Sequence, residues 1–287
     1  MQNELQNQPH PQDLTLVIGG HGKTGRRVID RLNALGRPVR AGSRSAEVPF
    51  DWDAPETWDA ALAEVSAIYL TYYPDLTVPG AMEKVGALTE RAVAAGVSRI
   101  VLLSGRGEAE AQESEKIVAA SGVQWTVVRA GWFNQNFSEG AFLDLVMSGT
   151  VALPVGDVRE PFVDCDDIAD VAVAALTEPG HHGKIYEVTG PRLMTFSEAA
   201  QTIADAAGIE VQFVDVTPEE FEAGLIAEGV PADFVGLLNY LFNEVLDGRN
   251  EYLTDGVQEA LGRPARDFAD YARQAAADGA WMKEVVS

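Results

Sequence analysis

The chain has 287 residues, of which 46% are hydrophobic, and its 44 acidic and 21 basic residues give a formal net charge of −23. A chain of this length can bury a sizeable core, in one large domain or in two lobes. The acidity excludes nucleic acid as a partner and disfavours anionic membranes, because both surfaces attract concentrated Lys and Arg.

The N-terminal segment is polar and has neither the basic start nor the apolar stretch of a secretory signal. We predict a disordered tail over residues 1–13. No apolar run is long enough to span a membrane, and the single cysteine, Cys165, excludes an intrachain disulfide. Together these features predict a cytoplasmic protein.

From residue 14 onward, short apolar runs alternate with helical patterns. The predicted strands of the first half are 14–18, 38–41, 48–50, 67–71, 99–103 and 124–128. The predicted helices between them are 24–35, 81–94 and 108–120. Apolar strands separated by helices indicate a parallel sheet covered on both faces. We therefore predict an α/β fold, a doubly wound Rossmann domain over residues 14–189.

The alternation is looser in the second half. A helix is predicted at 168–176, strands at 184–188 and 211–214, and an apolar helix at 231–246. Two capping boxes, Thr195-x-x-Glu198 and Thr217-x-x-Glu220, mark further helix starts. We predict that residues 190–287 form a smaller, mostly helical substrate lobe over one end of the sheet.

A glycine-rich turn, Gly20-x-Gly22-x-x-Gly25, follows the first predicted strand and opens the first predicted helix. Glycines in this context allow a tight turn and a close approach of the backbone to a pyrophosphate, which then lies on the positive end of the helix. The turn therefore predicts dinucleotide binding, with Lys23 and Thr24 among the contacts. A P-loop is excluded, because the glycine that it requires is replaced by Val17.

The end of the second predicted strand indicates which dinucleotide binds. An NAD site would carry Asp or Glu there to accept hydrogen bonds from the ribose, but the sequence reads Ala-Gly-Ser43-Arg44-Ser. The Ser43 hydroxyl and the Arg44 guanidinium suit a 2′-phosphate. NADP(H) is therefore the predicted cofactor, unless Arg44 is only a surface residue.

Ligands of open parallel sheets lie beyond the carboxyl ends of the strands. The predicted pocket residues at those ends are Tyr72, Tyr73, Ser104, Arg106, Trp132, Phe133, Asn134 and Phe162. We also count Tyr72, Ser104 and Lys116 among the cofactor contacts. The aromatic side chains suit a small aromatic or conjugated substrate, although each alone could equally belong to the core.

The proton donor that is usual in short-chain dehydrogenases, the tyrosine of a Tyr-x-x-x-Lys pair, is missing. None of the seven tyrosines has Lys four residues later, and Lys116 has Gln112 in the tyrosine's place. Reduction of a ketone gains from such an acid, whereas hydride addition to an iminium neutralises charge and needs no proton in that step. The absence thus favours cationic or quinonoid acceptors. The pair His181-His182 has no neighbouring ligands of the metal-site type, so no metal is expected.

Three further segments accompany the glycine turn: Ser121-Gly-Val-Gln-Trp-Thr-Val-Val-Arg129, Trp132-Phe-x-x-Asn136 and Phe162-Val-Asp-x-x-Asp-Ile-Ala169. With them the chain resembles the NmrA-like family of atypical short-chain dehydrogenases/reductases. Gly19-Gly-x-Gly-Lys-Thr24, Ala41-x-Ser-Arg-Ser45 and Phe50-Asp-Trp52 resemble the ergot-alkaloid dehydrogenases that make festuclavine or agroclavine. Quinone and triphenylmethane-dye reductases are further relatives.

The resemblance implies phosphate contacts from Gly22, Lys23 and Thr24, and 2′-phosphate contacts from Ser43 and Arg44. It also implies that Asp51 and Trp52 lie near the adenine. Two functions follow as hypotheses. The first is an NADPH-dependent reductase of an imine or iminium, a quinone or a similar conjugated small molecule. The second is a non-catalytic NADP(H)-sensing regulator, for which the missing tyrosine is equally expected.

Overall fold

A parallel sheet of six strands forms the centre of the computed structural model, which describes residues 13–140 and 142–282. Its strands are β1 (Leu14–Ile18), β2 (Val39–Gly42), β3 (Val65–Leu70), β4 (Arg99–Gly105), β5 (Gln124–Ala130) and β8 (Lys184–Val188). Their order is β2-β1-β3-β4-β5-β8. The predicted doubly wound α/β fold is thereby confirmed, while all but the last residue of the predicted tail lies outside the described residues.

Helices connect the strands and continue beyond them. The α-helices are α1 (Lys23–Ala34), α2 (Trp58–Leu62), α3 (Ala81–Ala94), α4 (Ala109–Ala120), α5 (Asn136–Glu139), α6 (Leu143–Ser148), α7 (Cys165–Thr177), α8 (Phe196–Ala207), α9 (Pro218–Ala227), α10 (Ala232–Tyr240), α11 (Gly256–Leu261) and α12 (Phe268–Ala277). A 3-10 turn spans Pro55–Thr57, and α10 continues into a π-helical turn at Leu241–Val245. No helix in the described part of the chain is both long and apolar enough to cross a membrane.

Both faces of the sheet are apolar, because alternate residues of each strand point to opposite sides. In β1, Leu16 and Ile18 belong to the core that also contains α3 residues such as Leu88, while Val17 packs with Val28 of α1 on the other face. Continuous apolar strands are therefore buried from both sides, as parallel sheets require.

The strand order reverses between β1 and β3, which continue into connections on opposite sides of the sheet. At such a reversal the two connections leave a crevice beyond the carboxyl ends of the strands, where ligands bind in this class of fold. The glycine turn at Gly20–Gly25 follows β1 directly. The fold thus places the predicted dinucleotide turn at the crevice.

The prediction of a strand at residues 48–50 is wrong. These residues form a bend and an irregular segment after β2. Their apolar character serves packing instead, since Phe50 is buried and its ring lies 5.2 Å from that of Trp52 and 6.2 Å from that of Trp58. A run of three residues is too short for periodicity to distinguish a strand from a buried loop.

A second core lies beside the sheet and is rich in aromatic rings. Phe137 is at its centre. The centroid of its ring lies within 6.3 Å of the ring centroids of four other residues: Phe142 (5.1 Å), Phe162 (5.7 Å), Phe196 (6.3 Å) and Phe268 (5.7 Å). Two small sheets adjoin it, one pairing β6 (Thr150–Leu153) with β10 (Gln212–Asp215), the other β7 (Arg159–Glu160) with β9 (Met194–Thr195). The smaller lobe thus draws on residues 137–162 as well as on residues beyond 190.

Candidate active site

The glycine turn has the backbone geometry that a pyrophosphate requires. Gly19 adopts φ +70°, and a Cβ on Gly25 would lie 2.2 Å from the carbonyl oxygen of Gly19, so only glycine fits there. Helix α1 begins at Lys23, after Gly22 at the N-cap position, and has no side-chain cap and no acidic residue in its first turn. Its first backbone N–H groups are therefore available to an anion. The residues present fit the pyrophosphate of a dinucleotide.

The end of β2 meets the same turn. Ser43 and Ser45 place their hydroxyl oxygens 3.2 and 3.4 Å from Nδ1 of His21, which belongs to the glycine turn. Arg44 is exposed and has no ion-pair partner among the described residues. These four side chains bring donors and positive charge to the place where a ribose 2′-phosphate would lie in a site of this kind. His21 is not among the predicted site residues, because the glycine pattern places no requirement on that position.

A cavity of about 290 Å³ opens beyond the carboxyl ends of β3, β4 and β5, beginning at Lys23. Its lining includes six of the predicted site residues: Lys23, Tyr72, Ser104, Arg106, Trp132 and Phe133. They come from separate strand–helix connections, which the parallel sheet aligns at one edge. Burial lowers the pKa of the Lys23 ammonium.

Three other predicted pocket residues do not line this cavity. Tyr73 is 68% exposed and its ring lies 6.2 Å from Phe234. Asn134 is fully buried, and its backbone N–H donates to the carbonyl oxygen of Val163 at 2.9 Å. Phe162 belongs to the aromatic core of the smaller lobe.

Two of the polar residues that line the cavity are already bound to protein groups. The hydroxyl of Ser104 donates to the carboxylate of Glu115 at 2.6 Å, and Arg129 pairs with the same carboxylate. The Ser104 hydroxyl is therefore held in a fixed orientation and is poorly placed to act as an acid.

Arg106 is the second of these bound residues. Its guanidinium donates to Glu187 at 2.8 Å and to the backbone carbonyl oxygens of Asn250 at 3.5 Å and Tyr252 at 3.2 Å. It also lies 4.5 Å from the centre of the Tyr252 ring. Arg106 thus anchors the chain around residue 250 to the sheet.

Three further predicted cofactor contacts lie away from the cavity. Lys116 is exposed and pairs with Glu113 on its own helix at 2.6 Å. Asp51 accepts a hydrogen bond from the backbone of Asp53 at 3.0 Å. Trp52 is 8% exposed, donates to the carbonyl of Thr71 at 3.2 Å and packs 4.8 Å from the ring of Tyr72. Trp52 therefore packs against Tyr72 without itself lining the cavity.

Two carboxyl groups in the cavity wall were not among the predicted site residues. Asp75 follows β3 and Glu108 follows β4. Burial raises the pKa of Asp75. Burial and the neighbouring Asp75 together raise the pKa of Glu108 well above its usual range. Both residues come shortly after a strand, which is the feature of the sequence that places them at the cavity. Glu108 is also the first residue of the helix predicted at 108–120, and this position alone accounts for it in the sequence.

The remaining wall comes from the smaller lobe. Leu241, Val245 and Asn250 line the cavity opposite residues that precede them by more than a hundred positions. No local pattern in the sequence predicts such a contact. Within residues 13–140 and 142–282 no group of three or more His, Cys, Asp or Glu side chains could hold a metal ion.

Comparisons with known proteins agree with this geometry. Residues 19–179 match a family described as NAD(P)H-binding. The chain is 32% identical to an NAD(P)H azoreductase of Xenophilus azovorans, over 93% of this chain and 100% of the relative. It is 31% identical to festuclavine synthase I of Penicillium roqueforti, over 90% of this chain and 96% of the relative.

A solved structure shows the same fold. It is the triphenylmethane reductase of Citrobacter sp. in complex with NADP(H), which superposes with a TM-score of 0.73 at 22% identity. The match covers 91% of this chain and 99% of that chain. The resemblance drawn from the sequence motifs is thus confirmed at the level of the family: the chain belongs to the NAD(P)H-binding family, and its relatives include an NAD(P)H azoreductase and a festuclavine synthase.

Proposed function

We propose that this protein is an NADPH-dependent reductase of an imine or iminium, a quinone or a similar conjugated small molecule. The observation that carries the proposal is the cavity of about 290 Å³, which begins at Lys23 on the dinucleotide turn and is walled by Tyr72, Trp132 and Phe133. A reduced dinucleotide, when bound, would supply the hydride. The flat side chains orient a conjugated acceptor against it.

The names of the relatives support a reductase over a sensor. They include an azoreductase and a festuclavine synthase, and the structural neighbour is a triphenylmethane reductase. The missing Tyr-x-x-x-Lys pair further favours acceptors whose reduction does not build an unstabilised alkoxide.

The reductase proposal is tested by following NADPH absorbance with a panel of quinones, cyclic imines and cationic triphenylmethane dyes. We expect turnover with at least one class, and inhibition when the cavity is filled by Trp substitution at Val245. NADPH binding without oxidation by any class would contradict the reductase and favour the NADP(H)-sensing regulator.

We further propose that Ser43, Arg44 and His21 select NADPH over NADH. Replacing Arg44 with alanine should raise the dissociation constant for NADPH about tenfold, since a hydrogen bond to a charged group contributes about 1.5–3 kcal/mol and this site is exposed. The dissociation constant for NADH should stay unchanged. Both constants can be measured by titrating the fluorescence of the reduced nicotinamide.

The matched control removes a cation from the other end of the same strand. Arg37 precedes β2 and pairs with Asp13 at 3.2 Å, away from the glycine turn. Arg37→Ala should leave both dissociation constants unchanged. Equal weakening of NADPH binding by the two substitutions would mean that only general electrostatic attraction is at work.

A further inference from the structure

Glu108 has an unusual position for a carboxyl group. It stands at the N-cap of α4, where an acidic side chain ordinarily accepts hydrogen bonds from the first turn of the helix, yet it makes no such bond. Its carboxyl group lies instead against Gly105 at the end of β4, where an added Cβ would fall 2.0 Å from Oε2. The residue is 8% exposed and contributes to the cavity wall.

The second carboxyl group of the cavity, that of Asp75, has a different environment. Its Oδ1 accepts hydrogen bonds from the backbone N–H and the hydroxyl of Thr77, each at 2.8 Å. Such bonds stabilise the charged form. No described residue donates a hydrogen bond to the Glu108 carboxyl. Two buried carboxyl groups that repel each other do not both ionise readily, and the proton is held more firmly on Glu108, whose charged form lacks the hydrogen bonds that Asp75 receives from Thr77.

The other charged groups near Glu108 support this assignment. Glu110 and Glu115 on its own helix add negative charge, which raises the pKa of Glu108 further. Arg106 is neutralised by Glu187, and Arg129 by Glu115. Lys23 lines the cavity without an ion pair to Glu108.

We propose that Glu108 is the proton donor of the reduction, a role that rests on the proposed reductase function. In an imine, the carbon of the C=N bond takes up hydride and the π pair moves to nitrogen; in a quinone, the conjugated system takes up hydride and the electron pair moves to a carbonyl oxygen. That heteroatom takes the proton as the O–H bond of Glu108 breaks. The resulting carboxylate is reprotonated from water that enters the open cavity. The acceptor gains two electrons and two hydrogens, and the dinucleotide is oxidised.

This assignment narrows the substrate class. A cationic iminium or dye is neutralised by hydride alone, whereas a neutral quinone or imine becomes an anion unless a proton follows. A built-in acid is useful only to the second kind. On this assignment the acceptor is a neutral quinone or a neutral conjugated imine.

The test compares Glu108→Gln with Glu113→Gln, which removes an exposed carboxylate from the same helix outside the cavity. The probes are a neutral naphthoquinone and a cationic triphenylmethane dye. Glu108→Gln should lower kcat/KM for the naphthoquinone about 100-fold, in the range of general acid catalysis, and change it less than about 3-fold for the dye. Glu113→Gln should change neither.

The pH dependence of kcat/KM provides an independent test of the role of Glu108. Since only protonated Glu108 can donate, kcat/KM of the wild-type protein for the naphthoquinone should fall as pH rises through the raised pKa of Glu108. This fall should be absent in Glu108→Gln. Gly105→Ala, which displaces the carboxyl group while leaving it in the chain, should reproduce the loss with the naphthoquinone.

A measurement without turnover completes the test. Burial also raises the pKa of Glu160, to about 8, so infrared spectra at pH 7 should contain a protonated carboxyl band that loses one component in Glu108→Gln and keeps its intensity in Glu113→Gln. An unchanged band, or equal loss of activity with both probes, would overturn the proton-donor assignment alone. Failure of the wild-type protein to oxidise NADPH with either probe would overturn the reductase function itself, and the donor role with it.

Discussion

Replacement of Gly25 by alanine is expected to weaken NADPH binding by at least about 100-fold, because a misplacement of about 1 Å in a binding site has consequences of that size. The new Cβ would lie 2.2 Å from the carbonyl oxygen of Gly19 and 2.7 Å from its carbonyl carbon. Both are backbone atoms that cannot rotate away. The start of α1 must therefore move from the turn, and its free N–H groups move with it.

The control for this substitution is Gly86→Ala. Gly86 lies within α3, and its Cβ would meet Ile117 at 3.7 Å, an ordinary contact. Alanine there should leave NADPH affinity unchanged and stabilise the helix by about 0.5–1 kcal/mol. Fluorescence titration gives the affinities, and circular dichroism verifies that both variants fold. Normal NADPH binding by Gly25→Ala would show that the turn does not hold the pyrophosphate.

Replacement of Phe137 by alanine is expected to lower the free energy of unfolding by about 3–5 kcal/mol, the range for a large buried aromatic residue. Phe137 is fully buried, and its ring contacts four other aromatic rings of the smaller lobe. Its backbone carbonyl also accepts a hydrogen bond from the Trp281 indole at 2.8 Å. Truncation leaves a cavity that these rigid rings cannot fill.

Tyr73→Ala serves as the comparison, since this aromatic side chain is 68% exposed. Its removal should change the free energy of unfolding by no more than about 0.5 kcal/mol, as at most surface positions. Urea denaturation followed by circular dichroism measures both values. Similar losses in the two variants would mean that the Phe137 cluster contributes little to stability.

The Rossmann part of the fold is well predicted because its signals are local. The strand at 14–18, the helix at 81–94 and the strand at 184–188 have the same bounds in the structure as in the sequence prediction. In each, a continuous apolar run or a helical period is set by the sequence itself. Both capping boxes form as predicted, since they depend on residues only three positions apart.

The smaller lobe was less predictable, because long-range packing determines it. Helix α6, strand β6 and helix α12 were not predicted. The segment around Phe137 and Phe142 shows no clear period, and its structure comes from rings contributed by residues far along the chain.

The site divides in the same way. The glycine turn and the residues after each strand follow from topology, which is why six predicted residues line one cavity. Asn134 and Phe162 fail that rule, because Asn134 is fully buried and Phe162 packs in the aromatic core of the smaller lobe. Glu108 is not among the predicted site residues, because its charge and its place at the start of a helix are typical of an exposed residue, whereas it is buried in the structure.

The way in which the chain near residue 250 is attached to the sheet affects how the substrate preference of related proteins can change. Arg106 holds the chain near residue 250 through the backbone carbonyls of Asn250 and Tyr252, and every amino acid supplies a carbonyl. These two hydrogen bonds can therefore persist when the side chains of the segment change. We expect exchange of residues 218–250 between homologues to change the acceptor preference, because Leu241, Val245 and Asn250 line the cavity, and to leave the predicted nucleotide contacts of residues 19–45 unchanged. Recombination of one short segment can in this way produce proteins that use the same nucleotide to reduce different acceptors.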